Sequence, residues 1–368
     1  MNPLLVSRPL SSSSGPVVSR RQALRLLART GAACLGATEA WPGPATKKGG
    51  LGVCSISYAL RWPAVCRGQA SPEEIVAFID HSATSGAAGV QTPIPAETDV
   101  IARIRGALEA GGLYLEGQVS LPKNEAEVER FEAQIRAAKE AGATVARAAC
   151  LSGRRYETFG TASGFADFVR ASERSLALAE PVVRKHRIRL AIENHKDWLV
   201  PDLLRLLQMI SSEFVGACVD TGNSIALLED PMAVVEAYAP FAFATHLKDM
   251  AVQDYAEGFL LAEVPLGDGF LDLPKMVAVL RRARPEVRFT LEMITRDPLR
   301  VPCLTPAYWA ALPSVSGASL AATLARVRTQ ASRQPLVQIS PLAIAEKLKT
   351  EDEAVRRSIR FARERLDL

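Results

Sequence analysis

The chain has 368 residues, 48% of them hydrophobic and 23% charged, with a formal net charge of +4. That is enough apolar chain to bury a large core, and no apolar run is long enough to insert stably in a membrane as a mature helix. The positive balance gathers at the start, where Arg8, Arg20, Arg21, Arg25, Arg29, Lys47 and Lys48 face Glu39 alone; the rest is close to neutral and shows no nucleic-acid footprint.

Residues 1–48 read as a leader rather than as fold. Ser11 to Ser14 is low in complexity, and Ser19-Arg20-Arg21-Gln22-Ala23 precedes a modestly apolar stretch over 26–37. This resembles a twin-arginine export signal, which implies a protein delivered already folded to the periplasm. The other reading is an ordinary basic leader on a cytoplasmic protein. Of the six cysteines, Cys34 falls in the leader, and the odd remainder forms no CxxC pair. A disulfide framework is therefore not expected, and Cys54 and Cys218 read as small buried apolar residues.

From residue 49 onward strand and helix signals alternate. Strands are predicted at 51–58, 89–92, 114–121, 144–150, 188–195, 215–223, 243–249 and 287–294. Between them, Ser71-Pro72-Glu73-Glu74 opens a helix with a capping serine and an early proline. Val128, Phe131, Ile135 and Ala138 carry helical spacing through 124–141, and further helices are predicted at 166–187, 200–210, 230–238, 273–284 and 341–366. Eight strands with interleaved helices over 49–368 predict a single-domain α/β fold, a (β/α)8 TIM barrel. An open doubly wound sheet would place a glycine-rich phosphate turn after its first strand, where Ser57-Tyr58-Ala59-Leu60-Arg61-Trp62 stands instead. The segment 301–340 is too long for a simple loop and is expected over the barrel mouth or against a partner subunit.

Four of the predicted strands end on metal-binding side chains: Leu190-Ala191-Ile192-Glu193, Ala217-Cys218-Val219-Asp220, Phe243-Ala244-Thr245-His246 and Phe289-Thr290-Leu291-Glu292. Consecutive parallel strands would deliver Glu193, Asp220, His246 and Glu292 to one end of the sheet, a donor set for a hard or borderline divalent cation. Period-two alternation puts Ala191, Cys218, Ala244 and Thr290 beneath them, all small, and His195, Gly222, Lys248 and Ile294 above them as a rim.

Those four strand ends, with Glu193-Asn194-His195, Asp220-Thr221-Gly222-Asn223, His246-Leu247-Lys248-Asp249 and the turn Leu266-Gly267-Asp268-Gly269-Phe270-Leu271-Asp272, resemble the xylose-isomerase-like barrel superfamily, and within it the sugar phosphate isomerase/epimerase family, over about residues 50–300. The resemblance implies one divalent ion, Mn²⁺ or Mg²⁺ with Co²⁺ or Zn²⁺ as substitutes, held by Glu193, Asp220, His246 and Glu292. It implies a small carbohydrate substrate and subunits that pair. A chelated hydroxyketone has an acidified α carbon, so the expected activity is a sugar isomerase or epimerase working through a metal-stabilised cis-enediolate, with Glu193 and Glu292 as acid and base. His195, Asn223, Lys248 and Arg296 are the expected substrate-binding residues. Lys248 and Asp249 could equally brace His246, and Trp62 and Trp198 are either sugar platforms or interface anchors. Epimerases of the superfamily often carry a histidine where this chain has Asn223, and an amide cannot exchange protons near neutrality. A lyase or decarboxylase acting on a 3-oxo sugar acid is therefore the alternative activity. A multi-zinc barrel nuclease is disfavoured, because the chain has four histidines and His81 and His186 fall on predicted helices.

Overall fold

The structure, a computed structural model, describes residues 49–368; the leader and its export signal lie outside the described residues. Eight parallel strands close into a barrel: β1 (Gly52–Cys54), β2 (Gly89–Pro93), β3 (Tyr114–Gln118), β4 (Val145–Ala148), β5 (Arg189–Glu193), β6 (Val215–Asp220), β7 (Ala242–Leu247) and, after an intervening hairpin, β10 (Thr290–Leu291), which pairs with both β7 and β1. Both faces of these strands are covered by core or helices, and every residue of β6 and β7 is buried, as parallel packing demands. The helices obey ordinary end chemistry. Before Pro72–Thr84, the Ser71 hydroxyl accepts from the Glu74 amide at 3.2 Å while the Glu74 carboxylate accepts from the Ser71 amide at 2.9 Å. Asp272 caps Leu273–Ala283 in the same manner through the Lys275 amide. A helix at Thr98–Gly111 joins β2 to β3, and Ile344–Arg365 closes the ring by presenting Glu351 to the Leu60 and Arg61 amides.

Tyr114 plugs the barrel floor, its hydroxyl donating to the Phe289 carbonyl at 2.9 Å. A Cβ on Gly52 or Gly89 would sit 2.2–2.3 Å from that tyrosine, so the two glycines are what lets the ring fit.

Most strands are shorter than predicted, and in β1, β6 and β10 a side chain takes over from the ladder. After Cys54 the chain turns into a 3₁₀ segment, Ser55–Tyr58, in which the Ser57 hydroxyl donates to the Leu291 carbonyl and accepts from the Met293 amide. The same exchange ends β10, and the next amide, that of Ile294, goes to Glu263 at 2.6 Å. β6 stops at Asp220 because that carboxylate collects the Gly222 and Asn223 amides.

The region between β7 and the helix at 273–283 holds an antiparallel hairpin that the sequence reading did not contain, β8 (Asp249–Tyr255) and β9 (Gly258–Val264), joined by a third strand, β11 (Leu299–Val301). The chain beyond β11 runs through the helices Pro306–Trp309 and Gly317–Gln330 and packs on this small sheet and on the turn Asn223–Leu227. Tyr308, fully buried there, donates to the Ala226 carbonyl at 2.8 Å.

Candidate metal centre

Register assembles the site. Asp220 lies beside His246 and His246 beside Thr290, so β6, β7 and β10 present neighbouring side chains at one level. Asn194 fastens β5 to β6 reciprocally: its amide oxygen accepts from the Asp220 N–H at 2.7 Å and its NH₂ donates to the Asp220 carbonyl at 3.1 Å. Beneath, Ala191, Cys218, Ala244 and Thr290 are fully buried, small as expected. The structure brings all four predicted donors together: one ligand atom from each of Glu193, Asp220, His246 and Glu292 falls within 4.8 Å of the others.

The donor atoms face one another. Asp220 spends Oδ1 on the Gly222 and Asn223 amides at 2.8 and 2.7 Å, leaving Oδ2 free. His246 meets the Gln91 side-chain oxygen through Nε2 at 2.8 Å. The Gln91 NH₂ donates onward to Glu116 at 2.9 Å, which fixes the amide orientation and puts a proton on Nε2 of His246. Nδ1 faces the carboxylates, 3.4 Å from Glu193 Oε1, 3.9 Å from Asp220 Oδ2 and 3.3 Å from Glu292 Oε2; burial disfavours a charged ring, but the anionic neighbours, Glu292 among them, raise it well above the ordinary imidazole range, so that Nδ1 carries a proton that a cation would displace. Asp220 Oδ2, His246 Nδ1 and Glu292 Oε2 are all buried without a well-aligned hydrogen bond, the two carboxylate oxygens lying 3.2 and 2.6 Å from the Lys248 ammonium. Three converging atoms of this kind, with an imidazole braced from behind, fit a divalent cation.

Cationic side chains crowd the same space. Arg147 pairs with Glu193 Oε2, and Asn223 donates to Glu193 Oε1 at 3.1 Å. Lys248 Nζ lies 2.6 Å from Glu292, 3.2 Å from Asp220 and 3.5 Å from Glu263, a carboxylate delivered by β9. Burial alone would raise the Glu292 carboxyl, but His246 and Lys248 outweigh it and hold the group well below the usual carboxylate range. His195 is driven well below the ordinary imidazole range by burial first and then by Lys196 and Lys248, so it is neutral. Its Nδ1 faces the Gly153 carbonyl at 3.1 Å and must carry the proton, which leaves Nε2 as an acceptor.

Several expected roles change. Lys248 does not stand on the rim: it is 1% exposed, roofed by the β8–β9 hairpin. Gly222, expected beside it on the rim, is buried as well. Arg296 faces Glu263 at 2.8 Å instead of an open mouth. Asn223 is fully buried among Glu193, Lys196 and Lys248. Trp198 packs against Phe165 and Phe168 and offers no platform, and Trp62 packs with Tyr58, Phe78 and His81. Asp249 does not brace His246, whose Nε2 meets Gln91 instead: its carboxylate accepts from the Met250, Gly267, Gly269 and Leu271 amides and fastens the turn that follows the hairpin. His81 and His186 lie on helices, paired with Asp352 and Glu132. Arg147, Lys196, Glu263, Gln91 and Glu116 were not anticipated. A glutamate inside the buried run Tyr114-Leu115-Glu116-Gly117-Gln118 was the signal available in the sequence.

Residues 79–314 match the family described as xylose isomerase-like TIM barrel. A curated relative from Pectobacterium atrosepticum, 3-oxo-isoapionate decarboxylase, is 32% identical over 103 residues, covering 27% of this chain. The match spans little more than a third, 38%, of that relative's length. A xylose isomerase-like TIM barrel protein from Mycobacterium smegmatis in complex with magnesium superposes with a TM-score of 0.52 at 15% identity, over 75% of this chain and 98% of the other. An L-ribulose 3-epimerase gives 0.52 at 14% identity, over 86% and 96% of the two chains. A D-psicose 3-epimerase determined with D-fructose gives 0.52 at 15% identity, over 86% and 99%. At such identities the likeness is one of fold.

Proposed function

Because this chain belongs to the xylose isomerase-like TIM barrel family, we propose that it is a divalent-metal-dependent enzyme that isomerises or epimerises a small keto sugar or keto sugar acid. The observation that carries this reading is the convergence of buried Asp220 Oδ2, His246 Nδ1 and Glu292 Oε2 beside Glu193, with ligand atoms of all four residues within 4.8 Å of one another. Mn²⁺ or Mg²⁺ bound by those four residues would act as a Lewis acid, polarising a substrate carbonyl and acidifying the adjacent carbon.

The protein's own side chains supply the rest. Glu193 and Glu292 come from β5 and the end of β10, on either side of the cluster, where one can take a proton from carbon and the other return it. Arg147 and Asn223 fix the direction of the Glu193 carboxylate. Lys248 does the same for Glu292 and carries protons of its own 2.6 Å away. The free Nε2 of His195 can accept from a substrate hydroxyl. The two glutamates share one environment, so their titrations belong to the pair.

A second reading is favoured by one residue and one relative. Asn223 stands where a proton-exchanging histidine would assist epimerisation, and the partial match to a decarboxylase suits loss of CO₂ from a 3-oxo acid at the same site. Product analysis separates the two. Incubation of metal-loaded protein with keto sugars and keto sugar acids in D₂O should give deuterium at carbon without loss of carbon for the isomerase, and released CO₂ for the decarboxylase. Asp220→Ala should lose bound metal, measured by elemental analysis, and turnover together. A variant retaining both would overturn the site as drawn.

A further inference from the structure

Among the described residues, Lys196 is the one ammonium of this cluster without a carboxylate counterion. It follows β5 by three residues, is 1% exposed, and its Nζ donates to the side-chain oxygen of Asn223. Among the described residues no carboxylate oxygen lies within 4.0 Å of that nitrogen. Its neighbour Lys248, 3.3 Å from the same Asn223 oxygen, has three carboxylates in reach. Two ammonium groups thus converge on one neutral amide oxygen, and only one of them is electrically satisfied. Burying an unpaired ammonium is costly, and its retention beside a reactive centre calls for an anion from outside the chain.

The wider charge count agrees. Arg147, Lys196, Lys248 and Arg296 are matched one for one by Glu193, Asp220, Glu263 and Glu292. The other buried acids nearby add little negative charge: burial pushes the Asp197 carboxyl up to about 8 and raises Glu116 as well. A divalent ion on top of that balance leaves the pocket with a surplus of two positive charges. A neutral sugar would leave the surplus standing, whereas a substrate carboxylate would halve it.

Resting on the metal-site reading above, we propose that Lys196, with Asn223 and Lys248 beside it, forms a carboxylate-binding subsite, so that the substrate is a keto sugar acid rather than a neutral keto sugar. The subsite lies next to Glu193 through the Asn223 amide, which places the carboxylate end of the substrate at the β5–β6 side of the ion. Lys196 is a specificity-determining residue in this scheme. Burial, followed by the Lys248 charge, lowers its ammonium to about 7 in the free protein, and an incoming carboxylate would restore it.

The probes are D-threonate and D-threitol, unreactive four-carbon polyols that differ only in carboxylate against hydroxymethyl. Calorimetric titration of the full chain, with Mg²⁺ or Mn²⁺ and again without it, should show threonate binding about tenfold more tightly, as a charge-assisted contact predicts. Lys196→Met should lose most of that preference while keeping the wild-type metal stoichiometry. Equal binding of the two probes to wild type overturns the subsite. A preference that survives in Lys196→Met overturns it too, because the carboxylate would then be held by the ion alone. Should Lys196→Met fail to fold by circular dichroism, Lys196→Gln carries the same comparison. Absence of bound metal in the wild type sinks the functional reading instead, and the metal-free titration then decides the subsite by itself.

Discussion

Two histidines of the site are oriented oppositely by neighbouring oxygens, which can only accept. Gln91 takes the Nε2 proton of His246 and frees Nδ1 for a cation, while the Gly153 carbonyl takes the Nδ1 proton of His195 and frees Nε2 for a substrate. Asp197, three positions beyond Asn194, is a more expensive residue. Its Oδ1 accepts the Trp198 amide at 2.9 Å, Oδ2 has no partner, and burial pushes its carboxyl up to about 8. The unfolded chain ionises this group near the ordinary aspartate value, so the folded state is penalised progressively as pH climbs from about 4 to about 8. Asp197→Asn should therefore gain stability relative to wild type between pH 5 and pH 9, by at least about 1 kcal/mol, in urea unfolding at the two pH values. A constant difference would show the carboxyl to be ionised throughout. At this scale the sequence was legible where a lone polar residue ended an apolar run, as with Glu193, Asp220, His246 and Glu292. It was opaque where the residue's partner came from another strand. Arg147 reads as one cation in Val145-Ala146-Arg147-Ala148, and only the closed ring turns it onto Glu193.

Among the elements, β5 and β6 are tied by the Asn194 pair of hydrogen bonds, which sets the height at which Asp220 meets Glu193. Asn194→Ala removes both bonds without touching a donor atom. Metal affinity should fall roughly 10- to 100-fold, the usual cost of losing support behind a ligand, in competitive titration against a chelating dye. An unchanged constant would make Asn194 a fold residue only. The hairpin β8–β9 depends on Gly269, where a Cβ would lie 2.0 Å from Asp249 Oδ1 and displace the carboxylate that gathers four amides. Gly269→Ala should cost about 1–3 kcal/mol in the same unfolding assay, the usual range for overfilling a packed site. Strand positions were readable from apolar runs, but their ends were not, because Ser57, Glu263 and Asp220 replace ladder bonds with side-chain bonds. The hairpin itself alternates, Phe259 and Leu261 buried between less buried neighbours, yet it sits where a barrel sequence prompts the reader to see only a loop.

For the whole molecule, the cluster joins β5, β6, β7 and β10, so a bound ion links strands from half the ring and should stabilise the native state alone. At a free-ion concentration 100 times the dissociation constant the gain is about 2.7 kcal/mol, equivalent to roughly 5 °C in melting temperature. Stripping with a chelator and adding back Mn²⁺ should lower and restore the transition by that amount in a calorimeter. A transition insensitive to both would mean that no cation joins these strands. Barrel closure was foreseeable from the count of strand–helix units. The second small sheet and its hydrophobic layer were not, since they arise from pairing β9 with a strand far along the chain, β11.

Glu263 gives that appended sheet a reach beyond its own packing. It is delivered by β9 of that sheet and not by the ring, and it pairs with both Lys248 and Arg296. Exchanging the β8–β9 hairpin for another of equal length would thus reset the electric potential felt by a ligand while the ring and its four donors stay in place. Variation in substrate charge across such barrels can accordingly be written in the ornament, with the chemistry left to the staves.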